Sequence, residues 1–510
     1  MTTPNTFDAV VIGGGPSGSI ASYFLRKLGH TVLVLERLEF PRYRIGESLT
    51  GVTGDFIREL GLVSKMNEHK FPPKSGVKVI GREAKNEFFI PVPRPTWQVL
   101  RSKFDEMLME RTKEEGTEVR YGLVTDVHRS EAGKITGVRY TPHGDGDAVD
   151  VECKAVIDAS GHSAVLSRLG IAGPRRVDAF GRQIAVFTQY KNTIRDPGAM
   201  GDNTFILYSK TYHWAWFIPL SPEVVSVGCV MPLSTYRERG TTPEEVFEWG
   251  INNVNPELRR RVKDAEQCEE VRVIRNYSYR IEPFAGDGWF CVGDSHRFTD
   301  PIFSFGVSMA MLESKAAAHA ISKGLASGDF VSQVPDFTEY SNIGQNSIYD
   351  FIRYFWKYPA FFGIQSRGRM RRGIISLFAV ESHKEVVQEM MVEMRRALYS
   401  MRAETLSDEH LRAVGERALA RFTDFQGIEA IYIARGEDTI DVAFILDDVA
   451  DEIGPPLKEL EAELKGDIGE DKVRFLVTTS ANGRGHLPEG AQALFDRKLA
   501  HPESPMLAVS

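Results

Sequence analysis

The sequence has few cysteines and no long apolar run. Its four cysteines (Cys153, Cys229, Cys268 and Cys291) show neither a C-x-x-C pair nor metal-ligand spacing, which favours buried thiols over disulfides or a metal site. No stretch of 18 apolar residues and no basic leader with an apolar run is present, so neither a membrane span nor a secretion signal is expected. The net charge of −8 argues against non-specific nucleic-acid binding. These absences predict a cytoplasmic protein.

The length of 510 residues predicts two or three domains. The pattern of strands and helices predicts a mixed α/β class. A βαβ pattern covers residues 8–36, and strands and helices alternate to about 170. From 180 to 290 the chain is β-rich, as in Ile184–Tyr190, Trp214–Pro219 and Val224–Met231. Helical patterns follow at 307–324 and 334–357. Beyond 400 we predict a small α/β unit, with helices over 407–422 and 455–464 and strands over 428–435, 439–446 and 473–479.

A glycine-rich turn follows the first predicted strand. Gly13-Gly14-Gly15-Pro16-Ser17-Gly18 fits G-x-G-x-x-G between a strand and a helix. Gly13 permits a tight turn, Gly15 lets backbone approach a pyrophosphate, and Gly18 lets the helix pack on the strand. Glu36, at the end of the second strand, is placed to accept hydrogen bonds from ribose hydroxyls. The combination predicts a Rossmann-like dinucleotide site.

Two later turns indicate FAD. Val156–Gly161 runs from a strand into an Ala-Ser-Gly turn, and Cys291–Asp294 ends in Gly-Asp before a helix. Here the chain resembles the FAD-dependent monooxygenase superfamily, whose fold is that of p-hydroxybenzoate hydroxylase. The resemblance implies that Asp294 binds the ribityl chain and that the helix start at 305–307 faces the flavin. It extends the implied cofactor-binding set to Arg42, Arg44, Ser48, Arg101, Val124, Asp158, Gly161, Phe305, Gly306 and Val307.

Three further motifs narrow the class. Gly46-Glu47-Ser48-Leu49 follows the FAD glutamate, Lys74 lies 27 residues beyond Glu47, and Trp214–Pro219 reads W-x-W-x-I-P. With Asp300–Val307, they resemble flavin-dependent halogenases over about residues 5–380. The resemblance is to the branch that acts on phenols, pyrroles and carrier-tethered aromatics rather than on free tryptophan.

The resemblance implies roles and partners. Reduced FAD, O2 and chloride or bromide would give hypohalous acid, which reaches an electron-rich aromatic substrate, free or carrier-tethered, in secondary metabolism. Lys74 would direct the halogen, and Glu47 would position the oxidant or take the substrate's proton. The halide would lie at the backbone of Phe305, Gly306 and Val307. The barrier between flavin and substrate would be Trp214, Trp216, Ile218 and Pro219. Electrons would come from a separate NAD(P)H flavin reductase; the oligomeric state stays open.

The domain organisation implied is an FAD-binding domain at 1–175 and 285–330. A β-rich substrate-side domain would be inserted at 176–284. A helical segment at 331–400 and the C-terminal α/β unit at 401–510 would follow.

Some features depart from the halogenase pattern or allow another interpretation. Phe305 is bulky where related enzymes carry a small residue, and Thr50-Gly51 replaces a Leu or Met followed by Pro. The aromatics of 349–362 fit a core or a pocket wall, and the two indoles fit core packing as well as a barrier. Lys78 is an alternative to Lys74. Glu47 could have only a structural role in the GESL turn, satisfied by nearby backbone N–H groups. Alternative functions are an aromatic hydroxylase, a geranylgeranyl-reductase-type enzyme and a non-enzymatic flavin-binding protein.

Overall fold

A computed structural model describes residues 5–81, 87–144 and 146–403, four strands beyond them, and single positions at 414, 417, 418, 459, 460 and 463. The chain divides into two compact units, Met1–Val392 and Glu393–Ser510.

The strands and helices have the following bounds. The strands are β1 Thr6–Ile12, β2 Val32–Glu36, β3 Pro73–Ile80, β4 Glu87–Trp97, β5 Glu118–Arg129, β6 Ile135–Pro142, β7 Val149–Asp158, β8 Arg175–Lys191, β9 Thr204–Lys210, β10 His213–Pro219, β11 Val225–Pro232, β12 Glu266–Gln267, β13 Arg272–Ile281, β14 Ala285–Gly286, β15 Trp289–Cys291, β16 Arg297–Phe298, β17 Ile428–Arg435, β18 Ile440–Leu446, β19 Val473–Thr479 and β20 Gln492–Asp496. The helices are α1 Pro16–Lys27, α2 Gly51–Glu59, α3 Val63–Glu68, α4 Arg101–Glu114, α5 Val165–Arg168, α6 Leu233–Arg239, α7 Pro243–Asn253, α8 Pro256–Val262, α9 Gly306–Ser327, α10 Val334–Lys357, α11 Pro359–Gln365, α12 Arg371–Phe378 and α13 Glu385–Ala403.

The first sheet is built around parallel strands. β1 pairs in parallel with both β2 and β7, β2 pairs with β5, and β7 pairs with β15. β6 joins β5 to β7 in antiparallel fashion, and β14 adds an edge next to β15. The carboxyl ends of β1, β2, β7 and β15 therefore meet at one edge, where dinucleotides bind in such folds. This confirms the predicted mixed α/β class.

The second sheet has nine strands in the order β16-β13-β8-β11-β10-β9-β3-β4, with β12 beside β8. The strands predicted within 180–290 all belong to it. β3 and β4 belong to it too, although we predicted that residues 1–175 serve the FAD-binding domain. The parallel pairing of β3 with β9 causes this difference, because a contact between residues 77–80 and 204–207 leaves no local trace in the sequence. The consequence is that Lys74 lies on this sheet.

One face of the second sheet is closed by α7 and α8. Ala215 and Phe217 on β10 pack there with Val246, Phe247 and Leu258. α7 begins with a capping box between Thr242 and Glu245 and has Pro243 in its first turn, both favourable at a helix start. Because strand side chains alternate, Trp214 and Trp216 lie on the opposite face.

The predicted helices at 307–324 and 334–357 are present as α9 and α10. α10 carries most of the aromatic stripe, and Phe351 and Phe355 are fully buried. Their rings lie 5.6 Å and 5.0 Å from the ring of Phe303, and Phe362 joins the same cluster. The structure therefore favours the core interpretation of this stripe.

The C-terminal unit contains a four-stranded sheet in the order β19-β18-β17-β20. β17 and β18 form the predicted antiparallel pair, and β19 lies parallel to β18. β20 was not predicted. The predicted helices at 407–422 and 455–464 fall mostly outside the described residues.

No helix in the described part of the chain is long and apolar enough to span a membrane. Within those same residues no group of three or more metal-ligating side chains could hold a metal ion. Three of the four cysteines are buried, and Cys268 is partly exposed.

Candidate active site

The glycine turn between β1 and α1 is closed by backbone contacts. Gly13 has a positive φ of 104°, and a Cβ there would lie 2.6 Å from the Ala159 carbonyl oxygen. A Cβ on Gly18 would lie 1.8 Å from the carbonyl oxygen of Gly13. At Gly15, in contrast, the nearest atom would be a guanidinium nitrogen of Arg42 at 3.8 Å. The turn is therefore closely packed at Gly13 and Gly18 and open at Gly15, which leaves room for a pyrophosphate.

Glu36 closes the turn from the end of β2. Its Oε2 accepts a hydrogen bond of 2.7 Å from the Gly14 N–H and lies 3.3 Å from Arg42 Nη2. The Leu38 N–H donates to Oε1 over 3.0 Å. Glu36 is thus fixed beside the turn, where the sequence predicts that it holds ribose, and Arg42 is fixed next to it.

Asp105 was not among the predicted site residues. It joins Arg42 and Arg101, which were. The fully buried carboxylate accepts a bond of 2.8 Å from Arg42 Nη1 and one of 2.7 Å from Arg101 Nε. Arg101 Nη1 also donates to the Ile45 carbonyl over 2.6 Å. The signal in the sequence is the i, i+4 spacing of Arg101 and Asp105 at the start of α4.

The turn after β7 is held by Asp158. Its two carboxylate oxygens accept the N–H groups of Ser160 at 3.0 Å and Leu166 at 2.8 Å. Asp158 is fully buried, so the structure shows a role in shaping the turn at Gly161. A direct contact of either residue with the cofactor stays a prediction.

The Gly-Asp turn after β15 is held from three sides. The Gly293 N–H donates to Glu313 Oε2 over 2.6 Å, and the Tyr279 hydroxyl donates to the Asp294 carbonyl over 2.6 Å. The Asp294 carboxylate is partly exposed and lies 3.4 Å from His162 Nε2. His296 is buried against Glu313 at 3.2 Å and stacked on Phe284. The structure therefore favours a structural role for His296.

The start of α9 leaves room at the predicted halide position. The Phe305 side chain turns into the aromatic cluster, 5.3 Å from the ring of Phe378, so its bulk does not crowd the helix start. A Cβ on Gly306 would have no atom within 4 Å. Val307 approaches Gly46, whose added Cβ would lie 4.0 Å from Val307 Cγ2. The helix start and the GESL turn are therefore neighbours.

Lys74 is buried and hydrogen-bonded. Its exposed fraction is 2%, and Nζ donates to Ser48 Oγ and to the Leu49 carbonyl, each over 2.8 Å. Burial lowers the pKa of the ammonium to about 7, because a low-dielectric environment disfavours the charged form. Lys78, the alternative, pairs with Glu87 at 2.7 Å. The sequence-predicted lysine is therefore the one buried beside GESL.

Ser48 links Lys74 to Thr204 and Gln98. Its hydroxyl lies 2.7 Å from Thr204 Oγ1, to which Gln98 Nε2 donates over 2.8 Å. Ser48 and Gln98 also form an isolated β-bridge. We predicted Ser48 as a cofactor contact, and the structure adds a contact with Lys74 that the sequence did not reveal. Thr204 and Gln98 were missed because their partners are distant in the chain.

Glu47 is buried with one oxygen unsatisfied. Its exposed fraction is 2%, and Oε2 has no hydrogen-bond partner among the described residues. Burial raises the pKa of the carboxyl to about 7, while a hydrogen bond from Ser226 and the charge of Arg101 oppose the shift. A buried carboxyl that ionises near neutral pH and has a free oxygen is suited to accept a proton.

The two indoles of W-x-W lie together on the face of β10 opposite α7 and α8. Their ring centroids are 5.9 Å apart, and Trp216 also contacts Phe187 at 5.8 Å. Trp216 Nε1 donates to Ser226 Oγ over 3.1 Å, whereas Trp214 Nε1 is buried without a partner among the described residues. The two rings therefore share one face of the strand, and their role as a barrier stays a prediction.

The remaining predicted site residues are placed as follows. Ile218 and Pro219 complete β10 and are buried, Val124 is buried on β5, and the Arg44 guanidinium donates to the Tyr43 carbonyl over 3.1 Å. The open side at Gly15, the partly exposed Asp294 and the free space at Gly306 form a set that fits a flavin dinucleotide along the edge of the first sheet.

Comparison with known proteins agrees with this geometry. A family model described as an FAD binding domain matches residues 6–328. Over 365 residues the chain is 48% identical to a brominase of 1H-pyrrole-2-carbonyl groups on a peptidyl-carrier protein from Pseudoalteromonas luteoviolacea, with 72% of this chain and 89% of that protein covered. The chain belongs to the flavin-dependent halogenases. The predicted resemblance is thereby confirmed, and the hydroxylase, reductase and non-enzymatic alternatives are set aside.

Two further halogenases support the assignment. A 1H-pyrrole-2-carbonyl peptidyl-carrier-protein chlorinase from Pseudomonas fluorescens is 29% identical over 446 residues, which cover 79% of this chain and 95% of that protein. The solved structure of the flavin-dependent brominase Bmp2 aligns with a TM-score of 0.76 at 44% identity, over 78% of this chain and all of the brominase. This halogenase therefore uses reduced FAD, O2 and a halide.

Proposed function

We propose that this halogenase brominates or chlorinates a pyrrole-2-carbonyl group carried as a thioester on a carrier protein. The observation that carries the proposal is the burial of Lys74 beside GESL in a chain that is 48% identical to a pyrrole-carrier brominase. Pyrrole is an electron-rich ring, so an electrophilic halogen source of modest strength is sufficient for its substitution.

We assign the cofactor to the residues at the edge of the first sheet. The backbone of the 13–18 turn and the α1 N-terminus would hold the pyrophosphate, Glu36 with Arg42 the ribose, and Asp294 the ribityl chain. When bound, reduced FAD would reduce O2 to the oxidation level of a peroxide, which is the oxidant that converts the halide to hypohalous acid. The N–H groups at the start of α9 would hold the halide. A separate NAD(P)H-dependent flavin reductase would supply the reduced cofactor.

Lys74 and Glu47 would divide the substitution step. The Lys74 ammonium would donate a proton to the oxygen of hypohalous acid, so that this oxygen leaves as water while the halogen bonds to a ring carbon. The Glu47 carboxylate then takes the proton from the same carbon through its free Oε2. The products are the halogenated ring and water, and transfer of the proton from the Glu47 carboxyl to the Lys74 amine would return both groups to their starting states.

The wall of Trp214, Trp216, Ile218 and Pro219 would keep the substrate away from the cofactor. All four are buried on a strand held between β9 and β11, so the wall is rigid. A substrate on the far side meets the oxidant only after the halide has reacted.

A substrate panel tests the proposal. The full chain is incubated with FAD, a flavin reductase, NADH and bromide or chloride, and with pyrrole-2-carbonyl carrier protein, free pyrrole-2-carboxylate or a phenol. Intact-protein mass spectrometry should show halogen on the carrier-bound ring. Free pyrrole-2-carboxylate and the phenol should give little halogenated product. Halogenation of the phenol or the free acid in preference to the carrier-bound ring would contradict the substrate assignment.

A further inference from the structure

Residues 351–380 carry charge of one sign. Between Asp350 and Glu381 the chain has six Lys and Arg and neither Asp nor Glu, although the net charge of the whole chain is −8. Protein surfaces usually mix charges of both signs, so a stretch of this kind indicates a binding role. Its centre is a cluster of four exposed arginines, the arginine patch, which consists of Arg367, Arg369, Arg371 and Arg372.

The arginine patch projects from the turn between α11 and α12. The backbone of this turn is closed by a hydrogen bond of 3.1 Å from the Arg371 N–H to the Gly368 carbonyl. The Arg371 guanidinium donates to the Ser366 carbonyl over 3.2 Å, and the Arg367 guanidinium donates to the Glu87 carbonyl. These bonds hold the two side chains in place but leave their charge uncompensated, because a carbonyl group is neutral.

Two arginines of the patch lie where a helix disfavours them. Arg371 and Arg372 occupy the first turn of α12, which contains no acidic residue. The N-terminus of a helix carries a partial positive charge, so cations there lower its stability. Neither arginine forms an ion pair within the described part of the chain. A loss of stability that no internal contact offsets indicates that these charges serve binding.

An apolar side chain accompanies the charges. Ile364, near the end of α11, is 66% exposed. The aromatic side chains of the same helix pair are buried: the rings of Phe362 on α11 and Phe378 on α12 lie 6.1 Å and 5.2 Å from the ring of Phe303. The pair therefore has a buried aromatic side and an exposed side with arginines around an isoleucine. Arginine and exposed apolar side chains together are typical of protein interfaces.

Lys74 and the arginine patch lie near opposite ends of the β3–β4 pair. Glu87, whose carbonyl accepts the bond from Arg367, is paired with Ile80 of β3. Ile80 lies six residues beyond Lys74, which is about 20 Å at the rise of about 3.3 Å per strand residue. A carrier-bound substrate sits at the end of a phosphopantetheine arm, which spans a distance of this order when extended. The arm begins at a phosphodiester on the carrier protein.

We propose that the arginine patch is the docking site for a carrier protein with an acidic surface. The guanidinium groups bind the phosphodiester of the arm and carboxylates beside it, and Ile364 contacts an apolar side chain of the carrier. Guanidinium groups suit this role because they bind phosphate and carboxylate oxygens through two parallel hydrogen bonds. A local basic patch also offsets the repulsion between two proteins of negative net charge. The proposal rests on the carrier-bound substrate proposed above.

The test compares pyrrole-2-carbonyl bound to the carrier protein with the same group bound to pantetheine, which has neither the phosphodiester nor the protein. The patch variant, Arg371→Glu with Arg372→Glu, should lower kcat/KM for the carrier-bound substrate about tenfold or more, because interface charges govern association. The kcat/KM for the pantetheine thioester should stay unchanged. The melting temperature should stay equal or rise, because acidic residues stabilise a helix N-terminus.

Arg237→Glu with Arg259→Glu is the matched control. Both arginines are exposed on other helices, α6 and α8, and this double variant has the same net charge as the patch variant. It should keep kcat/KM for the carrier-bound substrate. Equal losses in the two double variants would overturn docking at the patch, and so would an equal loss of the patch variant on both forms of the substrate.

Direct binding separates this proposal from the proposed function. Fluorescence anisotropy of a labelled carrier protein with its arm needs no catalysis, and binding to the full chain should weaken with added salt and in the patch variant. No halogenation of the carrier-bound ring by the unmodified chain would contradict the proposed function. Unchanged carrier binding in the patch variant would contradict the docking site alone. Tighter binding of a single-stranded oligonucleotide than of the carrier at the patch would indicate a nucleic-acid site and overturn the proposal.

Discussion

At the scale of single residues, the site contains two ionisable side chains, Lys74 and Glu47, that are buried without an ion-pair partner among the described residues. Lys74 donates to a hydroxyl and a carbonyl, and no ion pair of Lys74 is found among the described residues. Glu47 is equally buried and keeps an unsatisfied oxygen. Burial moves the pKa of both groups to about 7. Both can therefore change protonation near neutral pH, which exposed side chains of these types cannot do.

The buried lysine should lower stability in a pH-dependent way. Above about pH 7 the folded chain holds neutral Lys74, whereas the unfolded chain keeps the ammonium up to the ordinary pKa of 10.5. The unfolded state then binds more protons, so this contribution to stability rises with pH between about 7 and 10.5. Lys74→Met lacks the contribution. Its stability relative to the unmodified protein should fall by about 3 kcal/mol between pH 6 and pH 9.5.

Urea denaturation at several pH values, at matched FAD concentration, measures this difference. A constant difference between the two proteins across the range would show that Lys74 is not deprotonated in the folded chain.

At the scale of elements, the site is a junction of loops from the first sheet with strands of the second. The GESL turn and the start of α9 approach each other at Gly46 and Val307. β3 brings Lys74 from the second sheet, and β10 and β11 bring the indoles and Ser226. Each element contributes only one or two groups to the site. A shift of one strand of the second sheet should therefore lower the yield of halogenated product before it weakens FAD binding.

The substitution Gly228→Ala should cause such a shift. The added methyl would meet the Trp216 ring at 2.2 Å, so the indole must move away from Ser226 and out of the wall. We expect a loss of about 1–3 kcal/mol in stability from overpacking. Halogenated product should fall while O2 consumption continues, and the double variant Gly228→Ala with Trp216→Leu should regain stability but not product.

Gly368→Ala is the matched control, because the nearest atom to its Cβ would be 3.6 Å away. Unchanged coupling of O2 consumption to product in Gly228→Ala would contradict the role of this strand pair as a wall.

At the scale of the whole molecule, local patterns predicted most elements and distant contacts explain what was missed. The G-x-G-x-x-G turn, the W-x-W strand and the helices α9 and α10 follow from spacing within a few residues. The pairing of β3 with β9 and the buried Asp105 between two arginines join segments far apart in the chain. Phe305 departs from the halogenase pattern by its bulk, but its ring packs into a core that only the folded chain assembles.

The central claim is that Lys74 delivers the halogen, and coupling of O2 consumption to product tests it most directly. Lys74→Ala is compared with Lys78→Ala, which removes the same charge from the same strand but from a side chain paired with Glu87. Lys74→Ala should still consume O2 and release hydrogen peroxide while halogenated product falls at least about 100-fold, and Lys78→Ala should keep its product. Wild-type yields of halogenated product from Lys74→Ala would contradict it.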